Sequence, residues 1–463
     1  MISVDHVDLE TLTRLYGEHV KDLSRRYDEI LKKAELDAVV IHSGSLRLRT
    51  VYDDQYWPLR ATPHFQHWVP LAQPDCALVV CAGKPPVLVW PHATSIWETA
   101  PQPETEHFVE ALAIERPSTP DTITSRIKEL AGGGRVAFVG EDEARGIAWG
   151  FGDRMNAPDL LGPLDRLRSK KTAYEVLCLA EANRRAALGH NAVVEAFRSK
   201  DRSELDLHLE FLRATEQDDP ETPYKNIIAI GESAAVLHHV DYKKRATSRD
   251  PESLLVDAGA AYQGYCSDVT RTWLKGNLAT SATLSAFGAI VSGLEAMQQR
   301  LCAAVKVGNG YEKLHEESHR QVADILREVG IVSMSAEETV EAGITRAFYP
   351  HGLGHSLGLQ CHDVGCALIK PKPENPYLRN TSMITPDQCF TVEPGIYFIE
   401  GLLGPLRESA AASAIDFRLV AELSVLGGVR IEDDLVVLEA SSPTAIRNLT
   451  REHLPLGGGI LSS

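Results

Sequence analysis

The chain has 463 residues, more than one ordinary hydrophobic core holds, so its length predicts two domains. Apolar residues make up 44% and charged residues 24%, a globular balance that excludes collagenous, coiled-coil and long disordered classes. The formal charge of -17 excludes the basic surface that non-specific nucleic-acid binding needs, so no nucleic-acid partner is expected.

The first residues, MISVDHVDLETLTRLYGEH, lack a basic stretch followed by an apolar one, so no signal peptide is expected. No apolar run approaches the roughly 20 residues of a membrane span. The eight cysteines are scattered without a CxxC pair, which suits small core residues in a reducing compartment, and the protein is expected to be cytoplasmic.

Leu12, Tyr16, Val20, Leu23, Tyr27, Ile30 and Leu31 recur at helical spacing and predict an amphipathic first helix. Ala38-Val39-Val40-Ile41 reads as a buried strand. CALVV (76–80) and PVLVW (86–90) read as a strand pair joined by Ala82-Gly83-Lys84-Pro85. A helix from Asp121 to Ala131 stops at three glycines, and Val136 to Gly140 is a further strand. Mixed helices and strands over residues 1–168 predict a smaller α/β N-terminal domain. The basic segment Leu167–Lys171 marks its end, and an Ala-rich helix follows from Ala173 to about Phe197. From there the order helix, helix, strands occurs twice, over 173–272 and 281–436, with helices near 282–305 and 311–329. This weak internal repeat predicts one further domain over 169–455, with 456–463 as a flexible tail.

Four carboxylates lie in apolar surroundings. LLVDAGAAYQGYCSDVTRTW (254–273) alternates as two strands with a turn near Tyr262-Gln263-Gly264, and a hairpin there brings Asp257 and Asp268 together. Burying two carboxylates side by side is costly unless a cation lies between them. Glu393 ends the apolar FTVEP, and Glu432 lies inside GGVRIEDDLVVLE. The stretch PHGLGHSLGLQCHDVG (350–365) adds His351, His355 and His362 among four glycines, which argue for strand or loop rather than helix. Four buried carboxylates and a histidine are a hard, oxygen-rich donor set suited to a pair of divalent metals.

In order and spacing, DAGAAYQGYCSDVTRTW, HGLGHSLGLQCHDVG, TVEPGIYF and GGVRIEDD resemble the motifs of the pita-bread metallopeptidases. IHSG (41–44), YDDQYWP (52–58) and HFQHWVPL (64–71) narrow the resemblance to the bacterial Xaa-Pro dipeptidases, the prolidases. It runs from about residue 12 to 450 and is weakest over 404–424. The resemblance implies an α+β fold: a C-terminal pita-bread domain with a pseudo-twofold repeat, preceded by the smaller α/β domain. It implies two metal ions per subunit, manganese expected and cobalt or zinc acceptable, held by Asp257, Asp268, His355, Glu393 and Glu432, with Asp268 and Glu432 bridging. Xaa-Pro dipeptides would be hydrolysed by a metal-bridging hydroxide attacking the scissile carbonyl, with Glu393 ferrying a proton to the leaving nitrogen.

By the same resemblance His238, His351, His362 and Arg430 lie around the metals or in the substrate pocket, His362 polarising the substrate carbonyl. Arg379 pairs with the substrate's terminal carboxylate. Asp54, rather than Asp53, reaches a neighbouring subunit's substrate amine in a homodimer. His239 departs from a tyrosine common at its place, and Cys266 and Cys361 stand where small or apolar residues are common. The competing readings are an aminopeptidase acting on longer peptides, phosphotriester hydrolysis as a side activity, and a non-catalytic binding protein. The last conflicts with the intact ligand set.

Overall fold

The computed structural model describes residues 7–92, 106–199, 201–246, 252–439 and 444–461. The chain divides into two compact units between Cys178 and Leu179, within the helix Ala173–Arg198. The expected boundary at residue 168 lies earlier than that division, at the end of the preceding helix, Pro158–Arg168.

In the N-terminal unit the first helix spans Leu9–Lys33. Asp8 caps it by accepting the Thr11 N–H, and Lys32 and Lys33 complement the dipole at its end. Its buried face carries Leu12, Tyr16, Val20, Leu23, Tyr27 and Leu31, the spacing read from the sequence. The strands β1 (Ala38–His42), β2 (Ala77–Cys81), β3 (Val87–Val89), β4 (Ala113–Glu115) and β5 (Val136–Val139) form one sheet in the order β4-β3-β2-β1-β5. Central β1 runs antiparallel to β2 and parallel to β5, and every residue of it is buried. Cover on both faces explains why it reads as an unbroken apolar run. Short β4 carries no such run and was not expected.

In the C-terminal unit β6 (Ile227–Ile230), β7 (Ser253–Asp257), β8 (Ala261–Tyr262), β9 (Tyr265–Cys266) and β10 (Thr270–Lys275) come first. The expected hairpin is a nested pair, β8 with β9 at the tip and β7 with β10 at the base. Its turn falls at Gln263 and Gly264, both left-handed with φ of 52° and 86°, as a two-residue hairpin turn requires. Helices Ala282–Ala303 and Tyr311–Glu328 follow, at the positions the repeat implied. Then come β11 (Cys389–Val392), β12 (Gly395–Tyr397), β13 (Gly428–Arg430), β14 (Asp433–Val437), β15 (Ile446–Asn448) and β16 (Gly458–Leu461). Among the described residues the larger sheets run β16-β10-β7-β6 and β11-β14-β15. Phe287, Ile290, Leu294, Met297 and Leu301 of the first helix pack with Phe390, Val392, Ile396, Val429 and Leu435 of the strands. Full burial of each such side chain contributes about 1.5–3 kcal/mol.

The expected tail at 456–463 is corrected in part: Gly458–Leu461 pairs in parallel with Thr272–Lys275. The glycines that suggested fraying instead allow close approach, since a Cβ on Gly458 would overlap the Thr272 carbonyl oxygen. No helix among the described residues is long and apolar enough to cross a membrane.

The helix Tyr311–Glu328 also buries His315 and His319, whose ring centroids lie 4.7 Å apart. Burial, aided by Arg346 and opposed for His315 by Glu312, pushes their imidazoles down to about 4 and about 3. Unfolded histidines take up protons near pH 6.5, so unfolding binds protons below that pH. The stability these groups contribute is therefore complete above pH 6.5 and falls as pH drops toward 4, by on the order of 3 kcal/mol for each group. Urea titrations from pH 7.5 to 5 are expected to show a falling midpoint whose slope the double variant His315→Phe/His319→Leu lessens, the other buried histidines keeping the rest. A wild-type midpoint independent of pH over that range would refute this account.

Candidate active site

Strand register assembles the acids. Asp257, the last residue of β7, pairs with Thr270 of β10, and the Glu432 N–H donates to the Thr270 carbonyl (3.1 Å). Asp257, Thr270 and Glu432 thus form one row, whose opposed partners share a face of the sheet. The Thr270 hydroxyl donates to Glu432 Oε2 at 2.7 Å across that row. Asp268 is two residues before Thr270, where the ladder continues through Ala258 N–H to the Val269 carbonyl (3.0 Å), and period two returns it to the same face.

The histidine-rich stretch is a loop laid along β11. Thr391 N–H donates to the His355 carbonyl (2.9 Å), Glu393 N–H donates to the Leu353 carbonyl (2.7 Å), and Ser356 bridges to Phe390. Gly354 is required by that approach, because a Cβ there would overlap both the Thr391 carbonyl oxygen and the Tyr311 hydroxyl. His355 and Glu393 are thereby delivered to the acidic row. His355 Nε2 lies 3.2 Å from Asp268 Oδ2, 3.6 Å from Glu393 Oε1 and 3.8 Å from Glu432 Oε1. The ligand atoms of Asp268, His355 and Glu432 all lie within 4.8 Å of one another.

Burial comes first among the causes that raise the carboxyls of Asp257, Glu393 and Glu432, and repulsion from the neighbouring carboxylates adds to it; Glu393 reaches about 7. Burial also pushes Asp268 up, but the hydrogen bond and charge of His355, with bonds from Cys361 and Tyr224, bring it down to about 2. His355 answers in kind: burial pulls it down, and Asp268 and Glu393 lift it to about 9. The protein's own cations thus leave a cluster of buried negative charge undercompensated. That donor set, oxygen-rich with one imidazole, fits divalent metal ions.

Arg430, expected around the metals or in the substrate pocket, is a buried brace beside the carboxylates. Its Nη2 donates to Asp257 Oδ2 (2.5 Å), its Nη1 to the Tyr397 hydroxyl (2.8 Å) and its Nε to the Thr270 hydroxyl (3.2 Å). Its place on β13 commits these donors to the sheet. The chain of contacts continues: His351 Nε2 lies 2.8 Å from the Tyr397 hydroxyl and His351 Nδ1 lies 2.8 Å from the Gly352 carbonyl oxygen. Burial and Arg430 hold the His351 imidazole down near 3, so it is neutral.

His362, His238 and Arg379 are exposed around this buried set. His355 and His362 meet edge to face with centroids 4.5 Å apart. Partial burial, then the charges of His355 and Arg379, push the His362 imidazole down to about 3, and His238 acts on both His351 and His362. The loop bearing Arg379 is tied to the histidine loop by Asn380 N–H to the Gly354 carbonyl (3.2 Å) and by the Cys366 thiol, which donates to the Arg379 carbonyl. His239 has a separate task, meeting the fully buried Glu204 at 2.8 Å. Asp53 and Asp54 belong to the N-terminal unit, in an exposed loop where Asp54 accepts from Gln55 Nε2 (3.0 Å), whereas the carboxylate cluster is built wholly by the C-terminal unit.

Sequence reading missed Tyr224, Tyr397 and Thr270. The Tyr224 hydroxyl lies 2.7 Å from Asp257 Oδ1 and 2.6 Å from Asp268 Oδ1, sharing its proton between them. A tyrosine just before an apolar strand carries no sequence signal of that role. The acids of GGVRIEDD also divide their work. Glu432 faces the cluster, Asp433 pairs with Arg271 (2.9 Å) and Arg451 (2.6 Å), and Asp434 accepts the Asp268 N–H (3.0 Å).

Residues 178–439 match metallopeptidase family M24, and residues 14–165 match the Xaa-Pro dipeptidase N-terminal domain. Curated relatives include Xaa-Pro dipeptidases of Yersinia enterocolitica, 37% identical over 96% of this chain and 99% of that protein, and of Photorhabdus laumondii, 36% identical over the same shares. Two solved structures share the fold. Proline aminopeptidase P II from Yersinia pestis has a TM-score of 0.71 at 22% identity, over 95% of this chain and 96% of that one. Pseudomonas aeruginosa aminopeptidase PepP has a TM-score of 0.72 at 22% identity, over 94% of this chain and 95% of that one. Together with the carboxylate–histidine cluster, these matches place the chain in metallopeptidase family M24, as a metallopeptidase of the bacterial Xaa-Pro dipeptidase group.

Proposed function

We propose that the protein hydrolyses Xaa-Pro dipeptides with two divalent metal ions held by Asp257, Asp268, His355, Glu393 and Glu432. The observation that carries this reading is the convergence of four carboxylates and one imidazole on one buried face with too little protein charge to balance them. When bound, the metals supply Lewis-acid activation of the peptide carbonyl and of the attacking water. Manganese is the proposed metal, with cobalt or zinc able to substitute.

The chain's own groups do the rest. Arg430 and Tyr224 fix the Asp257 carboxylate from two sides. Glu393, which reaches the His355 imidazole at the edge of the carboxylate row, takes a proton from the attacking water and hands it to the leaving proline nitrogen. That nitrogen has no N–H, so a peptidase gripping it through a backbone hydrogen bond would fail. Neutral His362 donates to the substrate carbonyl oxygen, and His238 flanks it. His351, locked between Tyr397 and Gly352, keeps the Glu393 side of the site in place. Arg379 receives the substrate carboxylate. A homodimer in the cytoplasm, with Asp54 of one subunit facing the substrate amine in the other, belongs to the same proposal.

The test is metal analysis of the purified protein with assays on a panel of Xaa-Pro dipeptides, the same peptides N-terminally blocked, and Xaa-Pro-Yaa tripeptides. About two metal ions per chain and cleavage confined to free dipeptides are expected. A metal-replete protein inert toward every Xaa-Pro dipeptide would end the reading, and equal rates on blocked peptides would remove Asp54 from it.

A further inference from the structure

Cys361 is out of character for this cluster. Its thiol donates to Asp268 Oδ2 at 2.8 Å, placing sulfur beside a carboxylate of the proposed metal set. Cys361, His355 and His362 offer ligand atoms that all lie within 4.8 Å of one another, a second donor triad overlapping the first through His355. Its chemistry differs. The oxygen-rich set favours hard cations, whereas one thiolate and two imidazoles form the donor set of zinc and other thiophilic ions. A tetrahedral ion bound at about 2.3 Å to sulfur and about 2.0–2.1 Å to nitrogen draws such atoms slightly closer than they stand. His362 is the exposed member of the triad, so the closing movement is assigned to it.

We propose that Cys361, His362 and His355 form a site for a thiophilic divalent cation, zinc or cadmium by class, whose occupation competes with the catalytic set. Binding converts the thiol to a metal thiolate: the Cys361 S–H proton leaves to solvent, and a sulfur–metal bond forms with no change in oxidation state. The competition follows from geometry. His355 Nε2 faces Asp268, Glu393 and Glu432 and is the one imidazole among the five proposed ligands, so an ion that takes it removes that nitrogen from the carboxylates. The same ion also engages His362, the group offered to the substrate. Cys266 is not part of the site: it is buried, and its sulfur lies 3.7 Å from the Leu359 carbonyl oxygen.

The existence of the thiolate site stands on the triad alone; its inhibitory effect rests on the dipeptidase reading. Cadmium is therefore titrated into the manganese-loaded and the metal-free protein while thiolate-to-metal charge-transfer absorption is followed in the near ultraviolet. The expected result is a saturable band of one thiolate equivalent in wild type and in Cys266→Val, lost in Cys361→Val and in the near-isosteric Cys361→Ser. In parallel, excess zinc should inhibit manganese-loaded wild type at concentrations that spare Cys361→Ser, each compared with its own zinc-free rate. No band, a band that survives in both Cys361 variants, or a band lost in Cys266→Val would each overturn the site. A band accompanied by equal zinc inhibition of wild type and variant would overturn the competition. If no dipeptide is cleaved by any form, the activity reading fails while the band still decides the thiolate site.

Discussion

Asp268→Asn and Glu432→Gln are each expected to bind less than a full metal pair and to lose roughly a thousandfold or more in kcat/KM, beyond the 10- to 100-fold typical of groups that only orient a ligand. Both changes keep the side chain's shape and remove its charge, so their common effect isolates electrostatics. The metal-free proteins should differ. Burial and repulsion from Asp268, Glu393 and Asp257 raise the Glu432 carboxyl, so the amide there relieves strain on the folded state. Asp268 is held down to about 2 by His355 despite its burial, so the amide there removes a partner that the buried imidazole needs. Melting without metal should accordingly place Glu432→Gln at or above wild type and Asp268→Asn below it, while added manganese raises wild type more than either variant. Full metal occupancy with near-normal turnover in either variant would remove that residue from the ligand set.

Those acids were legible in the sequence because their setting is energetically anomalous. A carboxylate inside Leu254-Leu255-Val256-Asp257 or after Phe390-Thr391-Val392 cannot be surface decoration, and few reasons exist to bury it. The turn at Gln263-Gly264 was legible for an equally local reason, since left-handed backbone selects the residue type. Long-range register was not local and stayed hidden. Nothing near Arg430 in the chain announces that Asp257, Thr270 and Tyr397 occupy its guanidinium, and nothing near Tyr224 announces two aspartates. The pairing of Gly458–Leu461 beside β10 was hidden for the same reason: three glycines in a row carry no side-chain pattern to declare a strand. In Glu432-Asp433-Asp434 the motif pointed to one proposed ligand, and only the fold distributes the three acids among carboxylate cluster, arginine pair and backbone brace.

Arg379→Ala is expected to cost about 10- to 150-fold in kcat/KM on Xaa-Pro dipeptides, the worth of one charge-assisted hydrogen bond at roughly 1.5–3 kcal/mol. An enzyme confined to dipeptides must recognise both chain ends, and the end beside proline is anionic. Arginine suits it with a planar fork that keeps its charge at every working pH. The structure adds a physical route that the sequence lacked. Arg379 is exposed, yet its backbone is held against the histidine loop through Asn380 and Cys366, and its charge acts on His362. A carboxylate bound there would lie beside the group offered to the scissile carbonyl, and a dipeptide has one residue of length between the two. The comparison that isolates the charge is Xaa-Pro against Xaa-Pro-amide. Wild type should prefer the acid strongly, and Arg379→Ala should lose most of that preference mainly by slowing the acid, with the amide nearly unchanged. Arg379→Lys should recover part of it, because a point charge replaces the charge and not the fork. If wild type cleaves the amide or an Xaa-Pro-Yaa tripeptide as fast as the dipeptide, the enzyme acts as an aminopeptidase and Arg379 does not set its substrate length.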